Sequence, residues 1–506
     1  MTPFLAIDLY SHGARLSGYS YDTFRLLTRF LERLNLKEPR HVPHQGMVME
    51  LKKRFYGLTE NKREIFVHRH HIRELLKYLG DNNIPEDYIT FNSITAPVPT
   101  EASYTVKSHF VQRDYQTKII DSLGDDHYSK RVDLQTGGGK TLSALWALSN
   151  LGCRAVIMVQ PKYFGIWKKA LLETFDDIEG RFCTVSGSAE LQAVIDRALE
   201  GDLGVDVVII SAATYRTYIE SYERFGQEID KIGYNVPPPR FHEALGMGLQ
   251  INDEFQDDPG LVFRTDIFTN VRKQIYLSAT PYTGSDYVTR MIDVMLPEDT
   301  KVPLPDLDVY INVISLVYND VKVKRKDYLT PRKNTYNHTR YEDQLLKAKR
   351  RLENYQAMVR KIINGIYIRD RVPGQKLLIL CAKVDFIHHL TKHLNAAFPT
   401  LKVGSHVSGS DYQKLLSNDI TVSTIKSSGT GVDIPDLREV LMLQATDSKK
   451  DNIQVLGRLR RMKNFPDVTP RFTYVVCQDI PQHIKYHKHK KEYFSGRVLN
   501  HRVMRI

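Results

Sequence analysis

Two tandem α/β lobes with parallel sheets, preceded by a small α+β N-terminal domain, are the fold class this sequence predicts. Three observations predict it. Short, wholly apolar runs alternate with helix-length segments from about residue 105 to 300, and the same alternation returns after 375. Strands apolar on both faces belong to buried parallel sheets covered by helices. A different texture, amphipathic helices among basic and aromatic patches, fills residues 1–100 up to the prolines at 97 and 99.

The elements follow in order. In the N-terminal part, Phe24, Leu27, Leu31 and Leu34 recur at helical spacing and predict a helix over 22–36. Ile72, Leu75, Leu76 and Leu79 form a second stripe that Gly80 stops. Lys52, Lys53, Arg54, Phe55 and Tyr56 lie between them as a basic, partly aromatic surface. The cluster His68-Arg69-His70-His71 has no Cys, Asp or Glu at metal-site spacing and reads as an exposed helix start. Strand-like runs of the first lobe fall at 155–159, 205–210, 249–252 and 274–277, and those of the second at 376–381, 420–423, 439–443 and 472–477. Between the lobes, Leu345, Leu352, Val359 and Ile366 recur every seven residues, with Tyr355 and Ile362 between them, and predict one long helix over 341–366. The domains expected are 1–100 (accessory), 101–300 (first lobe), 301–375 (basic helical linker) and 376–506 (second lobe with a basic tail). Residues 219–248, with Pro237, Pro238 and Pro239, form an insertion without an assigned role.

Composition narrows the classes. Hydrophobic residues make up 42% and charged ones 26% of 506, the balance of a globular protein rather than a disordered or fibrous one. No apolar run is long enough to span a membrane, and Asp8 interrupts the N-terminus too early for a signal peptide. Four scattered cysteines without a CxxC pair suit reduced thiols in the cytoplasm. The net charge is +12. Residues 321–370 hold 14 Lys and Arg against 5 Asp and Glu, so most of the surplus lies in one segment and favours a polyanionic partner. The tail histidines at 483 and 487, interleaved with lysines, read as a basic surface helix rather than a zinc site.

The chemistry gathers in a few motifs. Gln135-Thr136-Gly137-Gly138-Gly139-Lys140-Thr141 follows an apolar strand and opens a helix. A glycine-rich turn there aims backbone N–H groups at one spot on the positive end of the helix dipole, which binds phosphate. Lys140 is expected to reach the β/γ-phosphates of a nucleotide and Thr141 to hold Mg²⁺. A full Walker pattern has Gly where Leu134 stands. Asp253-Glu254-Phe255-Gln256 ends the third strand of the same lobe; there Asp253 suits the Mg²⁺ shell and Glu254 the polarisation of water. Ser278-Ala279-Thr280 lies at the next strand's end. In the second lobe, Gly431 and Asp433 fall in a tight turn, and Arg458 and Arg461, read as one helical turn apart, suit the charge that develops on a γ-phosphate.

In this order and at these separations the motifs resemble those of the superfamily 2 helicases. Arg113-Asp114-Tyr115-Gln116 looks like the family's adenine-recognition motif, so Arg113 and Gln116 are implied to bind the nucleotide. Gln160-Pro161-Lys162 and Ser211-Ala212-Ala213-Thr214 resemble strand-contacting motifs, which implies nucleic-acid contacts from Lys162, Thr214 and, in the second lobe, Ser427. The Gln-x-x-Gly-Arg-x-x-Arg pattern, the length and the small N-terminal domain are most similar to the phage UvsW-type branch-migration helicases, akin to the RecG and XPB groups. That resemblance implies two RecA-like lobes, ATP and Mg²⁺ as cofactors, and a monomer acting 3′–5′ on single-stranded, forked or four-way DNA in recombination, repair and replication. An RNA helicase and a double-strand DNA translocase without strand separation are the alternatives, because phosphate-tracking lobes look alike. One departure stands out: Gln256 occupies the place where the family has His or Asp and couples hydrolysis to strand gripping.

Overall fold

A computed structural model of the chain describes residues 5–42, 46–134, 138–279, 286–304, 309–331, 334–407, 412–429 and 434–506. They form two compact units, Met1–Leu134 with Gly138–Pro305, and Asp306–Ile506. The expected class, two parallel α/β lobes behind an α+β sheet, is the class observed.

In the first unit a six-stranded sheet runs in the order Phe182–Val185, Val207–Ser211, Arg154–Val159, Met247–Asp253, Lys273–Leu277, Ser129–Val132. Every pairing is parallel. Because side chains alternate across a strand, Ala155, Ile157 and Val159 enter one core while Val156 and Met158 enter the other. The strand carrying the glycine turn is separated from the acidic strand by Lys273–Leu277 alone.

The N-terminal residues build a five-stranded sheet with helices Tyr21–Leu31 and Ile72–Asp81. Its core is continuous with one face of the larger sheet, so 1–100 is not the separate unit expected. Phe66 and Phe268 lie 4.4 Å apart by ring centroid, and Phe55 meets Phe263 edge-on at 5.1 Å. A Cβ at Gly13 would sit 1.9 Å from the carbonyl oxygen of Ile267, so only glycine permits this approach.

The histidine cluster serves the same interface, which corrects the exposed helix start. His68 is 1% and His71 3% exposed. His68 Nε2 lies 2.8 Å from Asp266, which also accepts from Gln274 Nε2 and Tyr276 O–H, each at 2.6 Å. Burial opposes the charge of Asp266, but His12 and the bonds from His68 and Tyr276 outweigh it and hold its pKa below the usual carboxylate value. Residues 219–248 belong to this unit's core as well: Tyr218 stacks obliquely on Tyr234 and meets Phe241 edge-on.

The second unit holds seven parallel strands in the order Val403–His406, Ile420–Thr424, Lys376–Cys381, Leu437–Met442, Arg471–Cys477, Asn312–Tyr318, Asn500–Arg505. The lobe therefore begins near 306 rather than 376, since the stretch read as a linker supplies strand Asn312–Tyr318. The long helix is two, His338–Lys347 and Lys349–Ile363, broken at Ala348 (φ −114°, ψ 80°). Leu345, Leu352, Tyr355, Val359, Ile362 and Ile366 all pack into this lobe's core. The tail helix Pro481–Phe494 is not wholly a surface element: His483 and Lys490 are buried, and burial lowers the Lys490 pKa to about 7.

Candidate active site

The site is built at the carboxyl ends of the two strands that flank Lys273–Leu277 in the first unit's sheet. After strand Ser129–Val132 the chain passes through 135–137, which lie outside the described residues, to Gly138 and Gly139. Gly139 takes φ +86° as the cap of helix Lys140–Leu151. That φ suits glycine alone, and a Cβ on Gly138 would stand 2.6 Å from Leu134 Cγ and oblige that side chain to shift. Tyr115 O–H donates to the Gly138 carbonyl at 2.9 Å and receives Arg113 Nη1 at 3.0 Å. Gln116 accepts from the Arg113 backbone N–H at 3.0 Å through Oε1. The Arg113–Gln116 segment thus braces the glycine turn.

Strand Met247–Asp253 delivers the carboxylates. Glu254 then adopts φ +49°, a left-handed conformation rare for a non-glycine residue. Its N–H donates to Asp253 Oδ1 at 3.0 Å, and its carbonyl accepts from Asp257 N–H at 2.8 Å. That turn brings Glu254 Oε1 to 3.6 Å from Lys140 Nζ. The other oxygen of Glu254 accepts from Gln256 Nε2, and Asp253 Oδ2 accepts from the indole N–H of Trp167 at 2.9 Å. Trp167 is wholly buried. Burial and the adjacent Glu254 charge raise the Asp253 pKa, against Lys140 and the Trp167 hydrogen bond.

This crowding tests the expected metal. Two carboxylates share one nearby ammonium, and burial with that repulsion disfavours the charge on Asp253; a divalent cation relieves both. A carboxylate and the Thr141 hydroxyl are hard oxygen donors of the kind Mg²⁺ takes one or two of from protein. The residues fit the ion. Among the described residues no group of three or more His, Cys, Asp and Glu could hold a metal by itself.

The expected strand contacts are placed unevenly. Lys162 is half exposed, 3.7 Å from Asp257 Oδ2, which also accepts from Gln160 Nε2 at 3.2 Å. Thr214 is buried, and its hydroxyl accepts from Gly187 N–H at 2.8 Å, so it shapes a turn rather than a surface. Ser427, in the second unit, has its N–H bonded to Thr424 Oγ1 at 3.0 Å. Gly431 and Asp433 lie outside the described residues. Arg458 and Arg461 are not on a helix: Lys449–Leu456 ends at the Gly457 cap, leaving Arg458 buried and Arg461 exposed over the Tyr310 ring at 5.0 Å. Trp167, Tyr115 and Asp257 went unassigned in the sequence. Trp167 left a signal, since a buried indole N–H needs an acceptor and acidic strand ends supply one.

Fold and site together define a two-lobed α/β protein with a glycine turn facing an acidic strand end. No protein-family model matches the chain, and no curated protein matches it. Solved structures similar to it include S. cerevisiae Dbp5 bound to RNA and ADP BeF3, at 12% identity and TM-score 0.49 over 78% of this chain and 89% of that one. A variant of Dbp5 with the same ligands has 13% identity and TM-score 0.48 over 78% and 89%. Among the described residues no helix is long and apolar enough to cross a membrane.

Proposed function

We propose that the chain is an ATP-hydrolysing motor of superfamily 2 type acting on DNA, with forked and four-way junctions as substrates. The observation that carries the hydrolase reading is the Lys140–Glu254 pair, which joins the glycine turn to the acidic turn within one lobe. At rest each side chain neutralises the other. Nucleotide phosphates entering the glycine turn draw Lys140 toward themselves and release Glu254. Glu254, held by Gln256 on its other oxygen, then takes the proton of the water that attacks the γ-phosphorus, and ADP leaves as the P–O bond breaks. Asp253 and Thr141 would hold Mg²⁺, which would supply positive charge to offset that of the phosphates. Arg458 and Arg461 are assigned to the same reaction by family resemblance.

The preference for DNA and for branched forms rests on that resemblance. ATP hydrolysis measured alone, then with single-stranded, duplex, forked and four-way DNA and with RNA at one salt concentration, tests it. Greatest stimulation by forked or four-way DNA supports the reading. Stimulation by RNA equal to or above DNA moves it to an RNA helicase, and no hydrolysis under any condition removes it.

A further inference from the structure

A pocket of about 390 Å³ opens in the second unit where strand Asn312–Tyr318 ends. Ligands of parallel sheets gather at the carboxyl ends of strands, and this volume lies in the range of small-molecule sites. One wall is a face of helix Lys349–Ile363 bearing Arg350, Asn354, Met358 and Lys361; the other is the turn that carries Lys322. Tyr318 and Tyr355, both largely buried, line its apolar side with Met358.

Its charge is out of balance. The one side-chain carboxylate in the lining, Asp320, is taken by Arg351 Nε at 2.7 Å, and Arg351 Nη1 bonds Asp327 at 2.9 Å. Lys322, Arg350 and Lys361 are exposed and have no ion pair among the described residues. A solvated helix face spreads like charges over a convex surface. Here three cations from two separate elements converge on a hollow with an apolar side, which separates them from ordinary surface charge.

The geometry points to a second nucleic-acid site: the pocket takes a nucleotide unit of a single strand, phosphates on Lys322, Arg350 and Lys361, base against Met358 and the tyrosines. Asn354 supplies an amide for the base edge. Contacts of this kind grip without reading sequence and weaken steeply with salt. The proposal rests on the nucleic-acid motor reading, and its ligand chemistry is shared by a free nucleotide.

The test uses the full chain with Arg350→Glu/Lys361→Glu and, as a milder change, Arg350→Ala/Lys361→Ala. Anisotropy of a labelled 12-residue single-stranded DNA is followed against salt without ATP, and a fluorescent mononucleotide is titrated in parallel. Unstimulated ATP hydrolysis, which involves none of these residues, reports intact folding. The expected result is a Kd raised about tenfold or more by the charge reversal, with the log K against log salt slope reduced by about 1.4, two contacts at ~0.7 each. The alanine pair loses the same two contacts, so its slope falls by the same amount while its Kd lies between. Loss of mononucleotide binding at this site with unchanged strand binding overturns the strand and leaves a free-nucleotide pocket. Wild-type affinity and slope for both probes in both variants overturn the site while the motor reading stands. A wild-type protein that hydrolyses no ATP and binds no oligonucleotide overturns the motor reading and the site with it.

Discussion

The acidic turn of the first unit and the basic pocket of the second treat charge in opposite ways. In the turn, Lys140 is tied to Glu254, Asp257 to Lys162 and Asp258 to Lys53 at 3.4 Å. In the pocket, three cations find no counter-ion among the described residues. A centre whose groups are mutually tied must exchange contacts when a ligand enters, so it responds to binding. A centre with uncompensated charge needs only to be met, so it holds. Chemistry belongs in the first kind of environment and grip in the second.

The sharpest way to break this comparison is to cut the tie in the turn. Lys140→Ala and Glu254→Gln should each lower ATP turnover by about 100-fold or more while nucleic-acid binding by anisotropy stays within about twofold. A Glu254→Gln protein with wild-type turnover would remove the general-base assignment. Trp167→Phe keeps the packed ring but deletes the donor to Asp253; it should raise the Mg²⁺ concentration for half-maximal hydrolysis about tenfold, read by metal titration at saturating ATP. Asp257→Asn weakens the hold on Lys162 and Gln160, and should change the ratio of stimulated to unstimulated hydrolysis several-fold while moving the unstimulated rate less than twofold.

Acid sharpens the contrast from the stability side. His12, His71 and His242 of the first unit are buried, and burial lowers each pKa to about 4. Around His12, His68 and Arg69 reinforce that shift, while Asp266 and the Tyr128 carbonyl oppose it. Each histidine is neutral in the fold and takes a proton on unfolding once pH drops below about 6.5, so the unfolded chain binds more protons between pH 6.5 and 4. Stability present above 6.5 is lost across that window, by at most ~3 kcal/mol per histidine. Thermal unfolding of the wild-type chain at half-unit pH steps should show the midpoint falling from 6.5 downward; a flat profile would contradict the buried neutral assignment.

The sequence was most legible where one face of an element is enough to define it. Strand Lys376–Cys381 is continuous and apolar, and its bounds read directly. The glycine turn before Lys140 is legible because its backbone calls for glycine, and the Asp253–Glu254 strand end because paired carboxylates stand where a parallel strand's carboxyl end places a site. Strands Phe182–Val185 and Asn500–Arg505 were not, since both lie at sheet edges and leave most side chains partly or fully exposed. Strand Asn312–Tyr318 was hidden by its basic surroundings. His68 looked exposed because its partner, Asp266, lies 198 residues away, and no local pattern encodes that contact. Arg458 and Arg461 were placed on a helix that Gly457 ends. The tie between Asp257 and Lys162 is likewise a product of tertiary packing.

The close approach of Gly13 to Ile267 has a consequence for how the chain is made. A ribosome releases the N-terminal sheet long before the segment that covers it, with roughly 170 residues still to be added at ~5–20 residues per second. For about ten to thirty seconds Phe55 and Phe66 wait without Phe263 and Phe268. Through that interval the aromatic face lacks the rings that cover it in the finished fold. Slowing synthesis between the two segments should lengthen the exposure and lower the yield of folded protein.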